Sequence, residues 1–77
     1  MNEEVKVKDL YLSAFLFAKS VHLKRVEREG SVCWFVFLVD ETNRDLINKF
    51  WSGEALCNAK SYSDAIRTLK DRIFSES

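Results

Sequence analysis

The sequence predicts a single small α+β domain spanning residues 1–77, of αββαα order, in which an antiparallel β-hairpin packs against helices. Residues 32–39 are uncharged and rich in Val, Phe and Trp, which is typical of a strand covered on both faces. The length of this run and the Gly30-Ser31 turn before it favour a strand over a buried helix. Residues 62–74 instead repeat apolar side chains at helical spacing.

The first segment combines a weak strand signal with a strong helix signal. Residues 1–8 alternate valines with lysines, which predicts a short edge strand or an ordered arm. Asp9 then offers a carboxylate to cap a helix over residues 10–19. This helix is apolar around most of its circumference, and such a helix must be covered on more than one side. We expect a second copy of the chain to supply part of that cover.

Residues 21–39 are predicted to form the antiparallel hairpin. The apolar residues of its first strand change phase between Leu23 and Val26, so a bulge is expected near Lys24-Arg25. Gly30 supplies the positive φ that the turn requires. The first strand is expected to be polar on one side, and the second strand apolar on both sides.

The next helix is predicted after the hairpin. Thr42 with Asp45 resembles a capping box, and Gly53 fits the left-handed C-terminal position. One face of this helix carries four apolar residues, Leu46, Ile47, Phe50 and Trp51.

The last helix has the most regular apolar period of the chain. Ser61 with Asp64 repeats the capping pattern at its start. Before this helix, residues 55–58 are either a packed loop or a short extended piece beside the hairpin. Residues 5–8 and 55–58 are therefore the two candidates for a further strand.

Charge and hydropathy restrict the partners of the chain. Twelve basic and twelve acidic residues cancel, whereas a dedicated nucleic-acid binder usually carries a basic excess. No stretch approaches the roughly 20 apolar residues of a membrane span. The acidic N-terminus leads into no apolar signal core. We expect a cytoplasmic protein without membrane association.

Few residues offer catalytic chemistry. His22 is the only histidine, and no neighbouring nucleophile or paired carboxylate gives it a task. Cys33 and Cys57 match neither a zinc spacing nor a disulfide framework. Two isolated glycines cannot build a phosphate loop. The sequence thus predicts no catalytic, cofactor or metal site and no enzymatic activity.

A basic segment in the first hairpin strand is the main charged motif. A two-stranded ribbon can place such a row against nucleic-acid phosphates. Acidic residues interrupt it, and exposed strands carry charges to resist edge pairing. Nucleic-acid contact is therefore the less favoured alternative to a solvated face. The candidate contact residues are His22, Lys24, Arg25 and Arg28.

Aromatic residues make up 13% of the chain, more than one small core comfortably holds. One interpretation is that most of them are buried and a few partly exposed, which is normal. The favoured interpretation places some in an interface, where aromatic residues are enriched. We expect a homo-oligomer, most simply a dimer, with candidate interface residues Tyr11, Phe15, Phe17 and Trp34.

Four stretches carry a family resemblance: DLYLSAFL at residues 9–16, WFVF at 34–37, FWSGEA at 50–55 and residues 62–70. Together they resemble a family of small uncharacterised domains from phages and prokaryotic mobile elements, over residues 9–75. The chain has Asn58-Ala59 where that pattern has Asn-Pro, so the shape of the preceding loop is not carried over.

The resemblance implies no activity and no catalytic or ligand-binding residue. The sequence therefore favours a small non-enzymatic interaction or accessory protein of phage-like or mobile-element origin that acts as a homo-oligomer through protein–protein interaction. The alternative is a nucleic-acid-binding accessory protein that uses the basic hairpin strand.

Overall fold

The computed structural model describes residues 2–75. Its elements are β1 (Glu3–Val7), α1 (Leu10–Ala18), β2 (His22–Glu29), β3 (Val32–Val39), α2 (Asp45–Ser52) and α3 (Ala59–Ser75). The three strands form one antiparallel sheet in the order β1-β3-β2. The predicted α+β class is confirmed. The third strand comes from the N-terminal segment, so the element order is βαββαα, and residues 55–58 form a loop.

The hairpin has the local features that its sequence predicts. Gly30 has a φ of 63° at the turn between β2 and β3. Leu23 lies opposite Phe37, and the register shifts between Leu23 and Arg25, which confirms the bulge. On the other side of β3, five consecutive residues of β1 pair without a shift, with Val5 opposite Phe37.

Two of the predicted helix ends are confirmed. Asp9 caps α1, and its Oδ1 accepts a hydrogen bond from the backbone N–H of Leu12 at 2.8 Å. The backbone carbonyl of Asp9 also accepts one from the Ser13 hydroxyl, which satisfies the buried polar group of this helix. Gly53 ends α2 with a φ of 81°.

The two predicted capping boxes are wrong. α2 begins at Asp45 without a side-chain cap, because the Thr42 hydroxyl donates to Asp40 Oδ1 instead. α3 begins before Ser61, since Asn58 Oδ1 accepts from the Ser61 backbone N–H and thus caps the helix. Ala59 occupies the first helical position, where proline is readily accepted, so its departure from the family pattern leaves this helix start intact.

The core lies between one face of the sheet and the helices. Phe35 and Phe37 from β3 pack there with Leu16 of α1 and Leu69 of α3, all of them almost inaccessible to solvent. α2 adds partly buried apolar side chains at the margin of this cluster. The predicted burial of β3 is therefore confirmed on this face.

Helix α1 obtains its cover within one chain. Residues 12–16 are all buried, and the Phe15 ring lies 5.8 Å from the Phe50 ring of α2. The Tyr62 hydroxyl of α3 donates to the Tyr11 carbonyl at 3.1 Å. In α1, Tyr11 alone is exposed, at 57%. The expectation that this helix needs a second copy for cover is wrong, while self-association itself stays a prediction.

Candidate interaction surface

The face of the sheet opposite the helices is covered by charged side chains. Phe35 and Phe37 belong to the core cluster, and successive side chains of a strand alternate between faces. Val36 therefore points to the other face, and it lies outside the core cluster. It is nevertheless 0% exposed. Something other than a helix covers it.

That cover is an ionic layer, formed by side chains of the two outer strands that meet above β3. Val36 lies opposite Lys6 of β1 and Arg25 of β2. Lys6 Nζ reaches Glu27 of β2 at 3.1 Å, and Arg25 Nη2 reaches Glu4 of β1 at 2.8 Å. The aliphatic stems of such residues cover apolar surface while their charged ends stay in water. The members of the ionic layer are Glu4, Lys6, Lys24, Arg25, Glu27 and Glu29.

The ion pairs strengthen the charged state of their members. Hydrogen bonds from Arg25 and then Lys24 lower the pKa of Glu4 from 4.5 to about 2. Hydrogen bonds from Arg25 and Lys6 lower the pKa of Glu27, and the bond to Glu27 raises the pKa of Lys6. Glu4, Lys6 and Glu27 thus keep their charges throughout the neutral pH range.

The four basic residues proposed for nucleic-acid contact do not form one cationic patch. Lys24 and Arg25 are both paired with Glu4. Arg28 donates from Nη2 to the backbone carbonyl of Ile73 at 2.9 Å, at the end of α3. His22 is exposed at the start of β2. Two members of this set are therefore already engaged in ion pairs with the same carboxylate.

An apolar edge groove runs between β1 and α2. Trp51 of α2 is 63% exposed, although the helical pattern predicts a buried position. Lys6 Nζ and Lys8 Nζ lie 5.4 and 5.9 Å from the ring centre of Trp34, within cation–π range. The apolar lining of the edge groove is Val5, Val7, Leu12, Trp34, Ile47 and Trp51.

The strand that borders the edge groove has an unpaired side. β1 pairs with β3 on one side and has no strand partner on the other within residues 2–75. At the opposite edge of the sheet, β2 is interrupted by the bulge between Leu23 and Arg25. Bulges protect a strand from further pairing. β1 has no such interruption.

The residues predicted for an oligomer interface do not share one surface. Phe15 is only 2% exposed and belongs to the core, and Phe17 is half-buried. Tyr11 lies beside α3, whereas Trp34 lies in the edge groove. Trp34 is the member that coincides with an open apolar surface. The helical pattern of residues 46–51 did not indicate that Trp51 would be its neighbour there.

A second apolar groove lies between the helices and the loop after α2. Its lining includes Phe15, Phe50, Cys57 and Tyr62. This groove borders no unpaired strand, so it offers side-chain contacts alone.

The two cysteines, Cys33 and Cys57, are half-buried free thiols. Within residues 2–75, no three His, Cys, Asp or Glu side chains are placed to hold a metal ion.

Comparison with known proteins gives a family without an assigned activity. A family model described as "Domain of unknown function (DUF5659)" matches residues 2–75. No curated protein and no solved structure matches the chain significantly. In the part of the chain that the structure describes, no helix has the length and apolar character to cross a membrane. Any role must therefore be argued from the geometry above.

Proposed function

The chain belongs to the family described as Domain of unknown function (DUF5659), and on that premise we propose that it is a non-enzymatic interaction module that acts as a homo-oligomer. A dimer is the simplest such assembly. An origin in phages or mobile elements, which the sequence resemblance implies, is part of the same proposal. So is a cytoplasmic location, which the charge and hydropathy pattern of the sequence favours.

The observation that carries the proposal is the exposed Trp51 beside the unpaired edge of β1. Large aromatic residues are enriched in the buried centres of interfaces, where they supply most of the binding energy. An unpaired strand edge offers a row of N–H and C=O groups to an incoming strand. The edge groove therefore combines apolar and main-chain binding at one place.

The charges of the hairpin support this proposal over nucleic-acid binding. Lys24 and Arg25 already share Glu4 as their partner. A phosphate would have to compete with that carboxylate, and the neutral chain supplies no long-range attraction.

Sedimentation of the full chain over a concentration series tests self-association. We expect a reversible dimer, which Trp51→Ser weakens about thirtyfold, the factor that matches about 2 kcal/mol for a tryptophan anchor. Leu56→Ser is the matched control, because Leu56 is 81% exposed but lies outside the edge groove. A strict monomer at about 1 mM would reject the proposal, since it excludes even weak association.

Titration with duplex DNA tests the alternative. We expect no binding that falls steeply between about 50 and 200 mM salt, which is the signature of phosphate contacts. If such binding occurs and is lost in Lys24→Glu/Arg25→Glu, the basic strand is the functional surface instead.

A further inference from the structure

We propose that two copies of the chain pair antiparallel through β1, with Val5 opposite Val5 of the second copy. The two sheets of three strands then become one continuous sheet. This inference rests on the proposed function and specifies its site, its register and its partner. The partner is a second copy because the strand is complementary to itself.

The complementarity comes from the order of charges along β1. Glu4 and Lys6 flank Val5 and lie on the same face of the sheet, since they are two residues apart. In the antiparallel register centred on Val5, each Glu4 lies opposite Lys6 of the other copy, so each side chain gains an ion pair in addition to those within its own chain. Opposite charges in directly opposed positions stabilise a strand pair.

Neighbouring registers lose this complementarity. A register centred on residue 4 places Glu4 against Glu4 of the second copy, and one centred on residue 6 places Lys6 against Lys6. Like charges in directly opposed positions are destabilising. A shift by one residue turns the two helix layers to opposite sides of the sheet. The register centred on Val5 alone avoids both costs.

On the helix side, the same register places Val5 against Val5 of the second copy and Val7 opposite Glu3. Val5 and Val7 line the edge groove with Trp51. A two-fold axis through Val5, perpendicular to the sheet, leaves both helix layers on one side, so the two edge grooves adjoin across the axis. An isologous contact of this kind closes after two copies and does not propagate into a fibre.

The other edge of the sheet does not offer an equivalent contact. Arg25 follows the register shift in β2, and its guanidinium is held by Glu4 and Glu27. Arg28 is bonded to the end of α3. A second copy at this edge would meet an irregular backbone, which disfavours pairing.

Charge reversal with mixing tests the register. Lys6→Glu puts acidic residues opposite one another in the homodimer, and Glu4→Lys puts basic residues there. We expect each variant alone to dimerise at least about tenfold more weakly. A one-to-one mixture restores association, because every opposed pair in the heterodimer is then attractive. Equilibrium sedimentation of each variant and of the mixture gives the constants.

Matched controls separate this effect from net charge and from folding. Lys70→Glu and Glu41→Lys make the same charge changes at exposed positions outside β1 and are expected to leave dimerisation unchanged. Far-ultraviolet circular dichroism reports whether each variant is folded. Rescue by mixing cannot come from a stability defect that each variant carries by itself.

A disulfide between the two copies provides a second test of the register, and this test needs no change of charge. Val5→Cys in a Cys33→Ser/Cys57→Ser background should form a covalent dimer on mild oxidation, because opposed Cβ atoms lie within disulfide reach. Ser31→Cys, in the exposed turn of the hairpin, should not.

The outcomes distinguish this inference from the proposed function. A dimer that is unaffected by charge reversal, that is not rescued by mixing or that is not crosslinked at Val5 overturns the register but keeps self-association. A monomer at every concentration overturns both.

Discussion

The two faces of β3 are covered in different ways, one by helices and the other by ion-paired side chains. On one face, Phe37 and its neighbours are buried under three helices that form a conventional apolar core. On the other face, Val36 is equally inaccessible, but ion pairs between the outer strands lie above it. The chain thus covers both sides of its central strand although only one side has a helical layer.

The comparison shows that an apolar strand does not require a second layer of secondary structure. Lys, Arg and Glu side chains on both flanking strands are long enough to meet over the strand between them, as Lys6 and Glu27 do. The cover on this side depends on charge and is screened by salt, while burial on the helix side is not. The two faces should therefore respond differently to substitution and to pH.

Truncation on the helix face has the largest expected effect. Phe37→Ala removes a fully buried ring from the core and should lower the free energy of unfolding by about 3–5 kcal/mol. Chemical denaturation monitored by circular dichroism measures this loss. A loss below about 1 kcal/mol would mean that the core is not packed as described.

The same substitution on each face gives the most direct comparison. Val39→Thr buries a hydroxyl in the apolar core and should cost about 1–3 kcal/mol. Val36→Thr places the hydroxyl beneath charged groups that can accept or donate hydrogen bonds, so its cost should stay below about 1 kcal/mol. Chemical denaturation of both variants in the same buffer measures the two losses in the free energy of unfolding. Equal costs would contradict the difference between the faces.

The response of the ionic layer to acid should be the smallest of these effects. The depressed pKa of Glu4 means that its ion pairs stabilise the fold above pH 4.5, and that this contribution is lost as the pH falls towards about 2. Glu4→Gln should therefore flatten the decline of the melting temperature over this range, while the lowered pKa of Glu27 preserves part of it.

Glu41→Gln serves as the control for that titration, since Glu41 is exposed in the turn after β3 and lies outside the ionic layer. If Glu4→Gln leaves the decline as steep as the control does, the ion pairs of Glu4 do not account for the loss of stability in acid.

Features that depend on short-range signals could be predicted from the sequence. The bulge followed from a phase change between Leu23 and Val26, and Gly30 and Gly53 each fill a position that needs positive φ. The capping boxes failed because a competing polar residue lies just upstream of each: Asp40 binds Thr42, and Asn58 caps α3. Pattern alone does not rank two candidate caps.

The surface on the open face could not be predicted because it depends on register between distant segments. Arg25 and Glu4 are 21 residues apart in the chain and meet only when β1 and β2 flank β3. Trp51 continues an apolar helical pattern, yet it extends past the core to the margin of the sheet. Its exposure reflects where α2 ends relative to β1, which no local signal encodes.

The strand order also sets the sequence of events when the chain is synthesised. β2 and β3 can pair as soon as both exist, because a two-residue turn joins them. β1 is made first, but its partner Val39 follows Glu3 by 36 positions, so a long loop must close before they meet. During translation, β1 is therefore the first strand of the sheet to be synthesised and the one that spends the longest time without its hydrogen bonds.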